Sequence, residues 1–167
     1  MDIQIKRAAC EDAAELLACL KQMGAETDNL TFGAEGLPFS VEDEAAYIRS
    51  MENSCDQIML VAKDNGKIVG NAALSRLPRR MKHRGDFCIS ILKAYWNKGI
   101  GSQLLSAIIQ FAKENSFEVL DLQVRSDNLP AIHLYEKFGF VKIGTHPCFF
   151  KIGDDEISFD YMCLKIQ

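Results

Sequence analysis

The sequence predicts an α/β fold of the α+β type, with about seven strands and about four helices. Two observations lead to this class. Short apolar segments typical of strands recur along the chain, and amphipathic segments at helical spacing interrupt them. With 167 residues and 48% hydrophobic content the chain can bury a full core, and no Pro/Gly/Ser-rich linker divides it. A single domain over residues 1–167 is therefore expected.

The predicted order is strand, two helices, three strands, helix, strand, helix and two strands. The first helix presents Leu16, Leu17 and Leu20 on one face, and Gly24 is expected to end it. Ser40 resembles the N-cap of the second helix because acidic residues follow it in the first turn. Strands are expected over residues 3–8, 58–62, 68–74, 86–92, 118–125, 140–151 and 156–165, and helices over residues 11–23, 41–51, 99–115 and 128–138.

Turn residues and periodicity support the elements of the second half. Asn65-Gly66 accepts the positive φ angles of a hairpin turn. In the fourth helix Pro130 is tolerated in the first turn, and Gly139 ends the helix. The third helix is expected to pack against the sheet through side chains that recur at helical spacing, namely Ile100, Leu104, Leu105, Ile108, Ile109 and Ala112.

The segment 95–102, Tyr-Trp-Asn-Lys-Gly-Ile-Gly-Ser, lies between the fourth strand and the third helix. Gly99 and Gly101 leave backbone N–H groups unshielded by a Cβ atom, and the helix that begins there adds unpaired donors and the positive end of its dipole. The segment therefore predicts a phosphate-binding loop. A tight strand-to-helix turn without a ligand is the alternative, since short glycine motifs often arise by chance.

A second segment at residues 128–140, which contains Asn128, Tyr135 and Gly139, follows about one strand-helix unit later. Together the two segments resemble the GNAT superfamily of acyl-CoA N-acyltransferases, with specific motifs from about residue 86 to residue 140. The resemblance implies a mixed, mostly antiparallel sheet of about seven strands. It further implies that the fourth and fifth strands splay apart and that the pantetheine arm of acetyl-CoA lies between residues 89–92 and 122–125. It also implies that coenzyme contacts are made by Ile89, Ser90, Ile91, Trp96, Asn97, Lys98, Gly99, Ile100, Gly101, Ser102, Asn128 and Tyr135.

One position departs from the family pattern. Trp96 stands where family members usually carry Arg or Gln, so one side-chain contact to phosphate is missing. Backbone donors need no particular side chain, and the loop is still expected to bind the pyrophosphate. The basic residues within 76–84 are predicted to form a solvated hairpin turn, with a contact to coenzyme phosphates or an acidic substrate group as the alternative.

The expected chemistry is the attack of an amine on a thioester carbonyl, which needs proton removal, oxyanion stabilisation and thiolate departure. By resemblance, the N–H of Ile91 is the candidate oxyanion donor and Tyr135 the proton donor to the leaving thiolate. Packing is the alternative role for Tyr135. Asn128 is expected to hold the pantetheine arm or to cap its helix, and these two roles are compatible.

Asp86 is the candidate general base, acting through a water molecule, and a solvated strand-end acid is the alternative. Glu35, in the loop that covers the acceptor in this family, is the other candidate base, and its expected task is to bind a cationic substrate. The acceptor pocket is expected to be built from residues 31–40 and the last two strands. A third possibility is that bulk water accepts the proton. An acidic cleft formed by Glu35, Glu42 and Asp86 would favour small cationic amines.

The resulting hypothesis is a cytoplasmic N-acetyltransferase that moves the acetyl group of acetyl-CoA directly to a primary amine of a small molecule. A protein N-terminus or lysine is the alternative acceptor, and a non-catalytic acyl-CoA sensor is the alternative class. The formal charge of −4 argues against nucleic acid as a partner, and no apolar run approaches a membrane span of roughly 20 residues. The sequence does not decide between a monomer and a homodimer.

The cysteines are expected to be reduced and buried and to form neither a disulfide nor a metal site, because they are scattered without Cys-x-x-Cys spacing. No metal cofactor is predicted. The chain begins Met1-Asp2-Ile3-Gln4, without the basic and apolar regions of a signal peptide, which is the basis of the cytoplasmic expectation. The six cysteines are Cys10, Cys19, Cys55, Cys88, Cys148 and Cys163.

Overall fold

A computed structural model describes residues 2–167 and confirms the predicted element order. Seven strands form one sheet, and four α-helices cover it. The predicted and observed bounds differ by a few residues at most. The elements are β1 (Ile3–Arg7), α1 (Ala13–Glu26), α2 (Val41–Met51), β2 (Gln57–Asp64), β3 (Lys67–Arg76), β4 (Arg84–Ile91), α3 (Ile100–Glu114), β5 (Val119–Arg125), α4 (Leu129–Lys137), β6 (Val141–Ile152) and β7 (Asp155–Lys165).

The sheet order is β1-β2-β3-β4-β5-β7-β6, and every neighbouring pair is antiparallel except β4 and β5. This parallel pair is short, because residues 84–86 of β4 pair with residues 119–121 of β5 and the register ends there. Residues 87–91 and 122–125 are therefore unpaired with each other, which confirms the predicted splay. We call the space between them the gap.

The two faces of the sheet carry different helices. Leu16 of α1 and Ile48 of α2 pack in a core with Val61 of β2. On the opposite face Leu104 of α3 and Tyr135 of α4 pack with residues of β3, β4 and β5. We call these the α1/α2 face and the α3/α4 face. The gap connects the two faces, because β4 and β5 are not paired there.

Side-chain alternation assigns the residues of β4 to these two faces. Val61 pairs with Asn71, and Asn71 pairs with Ser90, so Ser90 points to the α1/α2 face with Val61. Asp86 and Cys88 share the face of Ser90 because they lie at two-residue steps from it. The intervening side chains Phe87, Ile89 and Ile91 point to the α3/α4 face, where they pack in the core of that side.

Gly24 does not end the first helix, as the sequence suggested. Helix α1 continues to Glu26, and Gly24 is buried inside it. A Cβ atom at this position would lie 2.1 Å from the carbonyl oxygen of Gly33. Gly24 is therefore needed for the close approach of the α1–α2 loop to the helix, a tertiary contact that local sequence does not reveal.

Two smaller expectations have different outcomes. The Asn65-Gly66 turn is confirmed, with φ angles of 49° and 84°. All six cysteines, which lie within the described residues, are free, but only Cys19 is buried. The expectation that the thiols are generally buried was therefore wrong, and Cys88 opens onto the cleft described below. Within residues 2–167 no helix has the length and apolar character required to cross a membrane.

Candidate active site

A cleft of about 540 Å³ follows the gap, and residues from both faces of the sheet line it. The structure brings most of the predicted site residues together along its walls. The predicted residues that line the cleft are Asp86, Ile89, Ser90, Ile91, Trp96, Asn97, Gly99, Ile100, Gly101, Ser102, Asn128 and Tyr135. Two predicted residues, Lys98 and Glu35, are not among the lining residues, and neither is any residue of the basic segment 76–84.

The loop before α3 presents unpaired donors to the cleft. Within the described chain, no backbone carbonyl or side chain accepts a hydrogen bond from the N–H groups of residues 97–102. Gly99, the N-cap of α3, has φ 79°, and a Cβ atom built there would project into open space. These N–H groups and the positive end of the α3 dipole form a site that suits an anion.

Gly101 has a different reason to be glycine. A Cβ atom there would lie 3.0 Å from Leu134 Cδ2 and 3.5 Å from Ile91 Cδ1, so Gly101 permits close packing of α3 against α4 and β4. Gly101 therefore has a packing reason to be glycine, and the role of both glycines in access to the backbone stays a prediction. The ammonium of Lys98 lies 5.0 Å from the ring centroid of Tyr95.

Trp96 lines the cleft and fixes the end of β4. Its indole Nε1–H donates a hydrogen bond to the carbonyl oxygen of Ile91 at 2.8 Å. The residue that departs from the family pattern therefore connects the glycine loop to the strand. A side chain with an N–H donor and a large ring can make this connection, and it occupies one of the two acceptor positions of the Ile91 carbonyl oxygen.

The edge of β4 that faces the gap carries unpaired backbone groups. Leu92 N–H donates to Val69 O at 3.0 Å, so by antiparallel alternation the backbone groups of Ser90 and Cys88 also point to β3. The N–H groups of Phe87, Ile89 and Ile91 then point toward β5, which no longer pairs with β4 at this level. The Ile91 N–H is thus directed into the gap.

Tyr135 is buried at the α3/α4 side of the gap. Its ring makes edge contacts with Phe87, at a centroid distance of 6.1 Å, and with Phe140, at 5.8 Å. Desolvation raises the pKa of the Tyr135 hydroxyl well above its usual value, and the neighbouring Cys88 adds to the shift. The phenol therefore stays protonated at neutral pH and can donate a proton. The Tyr135 ring also has the packing role that was the alternative, because it belongs to the hydrophobic core of this face.

Asn128 occupies the N-cap position of α4, but its side chain makes no capping hydrogen bond. The capping alternative for this amide is therefore wrong. The side chain is partly buried and lines the cleft about two helical turns before Tyr135. Its amide is available for a ligand on the α3/α4 side.

Asp86 lies on the α1/α2 side of the gap, at the last paired position of β4. Gln123 Nε2 donates to Asp86 Oδ1 at 3.1 Å. Desolvation raises the pKa of Asp86, and the charge of Asp121 adds to this effect, whereas the Gln123 hydrogen bond and Arg84 oppose it. A carboxylate with a raised pKa is a better proton acceptor than an ordinary surface aspartate.

The expected acidic cleft is not present as predicted. Glu35 is exposed, and its carboxylate accepts a hydrogen bond from Gly33 N–H at 2.8 Å, which lowers its pKa. Glu42 is exposed in the first turn of α2. Neither residue lines the cleft, so Asp86 is the one carboxylate among its lining residues within the described chain. The binding role of Glu35 stays a prediction.

Sequence reasoning assigned the acceptor pocket to residues 31–40 and the last two strands, but it named none of the apolar side chains that dominate the α1/α2 side. The α1–α2 loop contributes Leu30 and Phe32, and the last two strands contribute Phe149 and Phe159. Arg125, at the end of β5, also lines this side. The signal in the sequence is weak, because Phe149 and Phe159 are ten residues apart and only the β6–β7 hairpin makes them neighbours.

Three features point to an acyltransferase that uses acyl-coenzyme A as its donor. They are the divided sheet, the glycine-containing loop before α3 and the buried tyrosine. The sequence profile of the Acetyltransferase (GNAT) family matches residues 13–140. The chain therefore belongs to this family.

Known proteins support the assignment. The crystal structure of a GNAT-family acetyltransferase from Streptococcus pneumoniae has a TM-score of 0.95 and 34% identity, covering 99% of this chain and 100% of that one. N-alpha-acetyltransferase RimI of Mycobacterium tuberculosis is 34% identical over 55% of this chain and 57% of its own length. L-amino acid N-acetyltransferase AaaT of Escherichia coli is 37% identical over 52% and 54%. The matches to these two relatives thus span little more than half their length.

Proposed function

We propose that the protein transfers the acetyl group of acetyl-CoA directly to a primary amine of a small molecule. The observation that carries the proposal is the gap. It joins residues 97–102, which we call the anion-binding loop, on the α3/α4 face to Asp86 on the α1/α2 face. A thioester in the gap would meet an amine from the opposite face without a covalent intermediate. Family membership and the relatives named above support acetyl transfer to nitrogen.

The residues present fit the coenzyme. The free N–H groups of residues 97–102 and the open space beside Gly99 suit the pyrophosphate. The unpaired edge of β4 suits the amide groups of the pantetheine arm, and the free amide of Asn128 adds a polar contact. Bound acetyl-CoA supplies the activated acyl group and a thiolate leaving group.

The protein's own groups would handle the protons and the charge. The ammonium of the acceptor loses one proton through water to Asp86, whose raised pKa suits this task. The neutral nitrogen then forms a bond to the carbonyl carbon, and the oxyanion accepts a hydrogen bond from Ile91 N–H. When the C–S bond breaks, Tyr135 protonates the thiolate and recovers its proton from the nitrogen of the new amide, so that the net products are the amide, the free thiol and one proton.

A thiol-release assay tests the proposal. Acetyl-CoA is incubated with the protein and a panel of amines, polyamines, amino acids and peptides, and free thiol and N-acetylated product are quantified together. Equal amounts of thiol and acetylated small amine are expected. If acetyl-CoA binds but no acceptor releases thiol, the protein is an acyl-CoA sensor instead.

Acetylation of a protein N-terminus or lysine is the second candidate, because the relative RimI is named an N-alpha-acetyltransferase. The structure favours a small acceptor, since the α1–α2 loop covers the α1/α2 side of the cleft. Arg125 Nη1 fastens this loop by donating to the carbonyl oxygen of Asp28 at 3.2 Å. Peptides in the assay panel separate the two candidates.

A further inference from the structure

The part of the cleft on the α1/α2 face, which we call the acceptor half, has a composition of its own. Its location follows from strand register, because Asp86 pairs with Asp121 and residues at two-residue steps share that face. Gln123 and Arg125 of β5 therefore face the same side, as does Phe159, which pairs with Arg125. This half is remote from the anion-binding loop, so it is the half available to the acceptor.

Aromatic rings form one wall of the acceptor half. Phe149 and Phe159 stack with their ring centroids 4.5 Å apart and an interplanar angle of 20°. Phe150 supports the stack from behind, 5.1 Å from Phe159, and does not line the cleft. Phe159 is buried and Phe149 is partly buried, so the part of the pair that a ligand can reach belongs mainly to Phe149.

The α1–α2 loop contributes a second wall of mixed character. Leu30 and Phe32 of this loop line the cleft and pack against the core under α1, and Thr27, Asn29 and Thr31 line it as well. The bond from Arg125 to the Asp28 carbonyl oxygen connects the loop to the sheet. An apolar group in the acceptor half would therefore find most of its contact area on the phenylalanine rings and on Leu30 and Phe32, and the polar loop residues would face the rest of the ligand.

The charged side chains of the acceptor half favour a ligand with one positive charge over a ligand with a negative charge. Among the lining residues, all of which are described, Asp86 is the only acid and Arg125 the only lysine or arginine. Arg125 is already engaged on every nitrogen: Nε and Nη2 bond to Asp127 at 2.6 and 3.1 Å, and Nη1 bonds to Asp28 O. A substrate carboxylate would have to share Arg125 with Asp127, whose charge already neutralises the guanidinium.

We propose that the acceptor carries an aromatic or similarly bulky apolar group beside its primary amine and no carboxylate next to that amine. The apolar group lies against the Phe149–Phe159 pair, and the amine points into the gap toward Asp86. This inference rests on the proposed function, and it narrows the acceptor from amines in general to aryl-alkyl amines. It also excludes polyamines as the best acceptors, because only one carboxylate faces the site.

Calorimetry on the protein saturated with coenzyme A tests the inference without turnover. The probes are 2-phenylethylamine, phenylalanine, ethanolamine and spermidine. We expect 2-phenylethylamine to bind at least about 10-fold more tightly than ethanolamine or spermidine, because only it buries a ring. Phenylalanine should bind more weakly than 2-phenylethylamine. Equal or tighter binding of any of the other three probes, or no binding of 2-phenylethylamine, would overturn the inference.

Variants of two neighbouring phenylalanines identify the wall that makes the contact. Phe149→Ala should weaken 2-phenylethylamine binding roughly 10-fold and leave ethanolamine binding unchanged, whereas Phe150→Ala, which alters the same cluster behind the wall, should have a smaller effect. Thermal unfolding checks that both variants fold. If Phe149→Ala does not fold, Phe149→Leu replaces it. An equal loss in both variants would contradict the assigned wall.

Turnover with acetyl-CoA separates this inference from the proposed function. If 2-phenylethylamine binds selectively but no thiol is released, the proposed function fails, whereas the acceptor half is still a binding site for aryl-alkyl amines. If thiol is released faster with spermidine or ethanolamine than with 2-phenylethylamine at equal concentration, acetyl transfer stands and the inference about the acceptor is wrong.

Discussion

Asp86 of β4 pairs with Asp121 of β5, and this is the last paired position between the two parallel strands. The gap begins immediately after it. Asp86 is therefore held by the sheet at the closed end of the gap, and the Gln123 side chain from the other strand reaches across to its carboxylate. The fold thus places a carboxylate with a raised pKa where the cleft crosses from one face of the sheet to the other.

Gly99→Val should weaken acetyl-CoA binding by about 2 kcal/mol or more, because a side chain would fill the space beside the free N–H groups. Calorimetry gives the affinity. Gly66→Val is the matched control, since Gly66 has a similar φ of 84°, also faces open space, and lies in the β2–β3 turn away from the cleft. Equal affinities in wild type and Gly99→Val would reduce the loop to a simple turn.

Tyr135→Phe should lower kcat roughly 10²-fold with little change in coenzyme affinity, because it removes the hydroxyl and keeps the packed ring. Steady-state kinetics and calorimetry measure the two effects. Tyr47→Phe, at an exposed position on α2, is the control and should behave as wild type. Wild-type turnover in Tyr135→Phe would leave the phenol a packing group.

Asp86→Asn should lower kcat at neutral pH and abolish the acidic limb of the pH profile. The sign follows from the role: the base must be ionised, so activity falls as pH drops through the raised pKa of Asp86. The fold disfavours the charge on Asp86, so the variant should unfold at no lower temperature than wild type. An unchanged profile would assign proton removal to bulk water.

Gln123→Leu provides a finer test of the same carboxylate. The Gln123 hydrogen bond lowers the pKa of Asp86, so its loss should move the acidic limb to higher pH. The plateau rate at high pH should change much less than the position of the limb. A limb that stays in place would mean that another group controls it.

Gly24→Ala should destabilise the protein by roughly 1–3 kcal/mol, although alanine usually stabilises a helix interior relative to glycine. The reason is the 2.1 Å approach of the new Cβ atom to Gly33 O. Denaturant unfolding measures the change. Gly144→Ala, where no atom lies within 4 Å of the new Cβ, is the control. A more stable Gly24→Ala variant would show that the loop can move away freely.

The elements of the fold were predictable because each depends on local periodicity and turn residues. Helix α3 shows its apolar face directly in the sequence, and Asn65-Gly66 marks its own turn. Gly24 was misread because its reason is a contact with Gly33, nine residues away in a loop. A glycine in a helical pattern does not reveal whether it ends the helix or admits a neighbour.

The site was predictable on one side of the sheet and not on the other. The loop before α3 and the helix with Tyr135 are continuous segments, so their motifs survive in the sequence. The acceptor half is assembled from a loop and residues of the four strands β4 to β7, and its character depends on strand register. Glu35 of the α1–α2 loop and Glu42 of α2 were expected to make the cleft acidic, and their absence from its lining is a tertiary property that local sequence does not reveal.

The most direct test of the central claim is the route of the acetyl group, since Cys88 also opens onto the cleft. Acetyl-CoA with a labelled acetyl group is mixed with the protein, first alone and then with 2-phenylethylamine, and intact-protein mass spectra are recorded beside initial rates. Direct transfer predicts an unmodified protein in both samples, labelled N-acetyl product equal to released thiol, and intersecting rate lines when both substrates are varied. An acetylated protein formed before the amine is added, together with parallel rate lines, would contradict direct transfer across the gap.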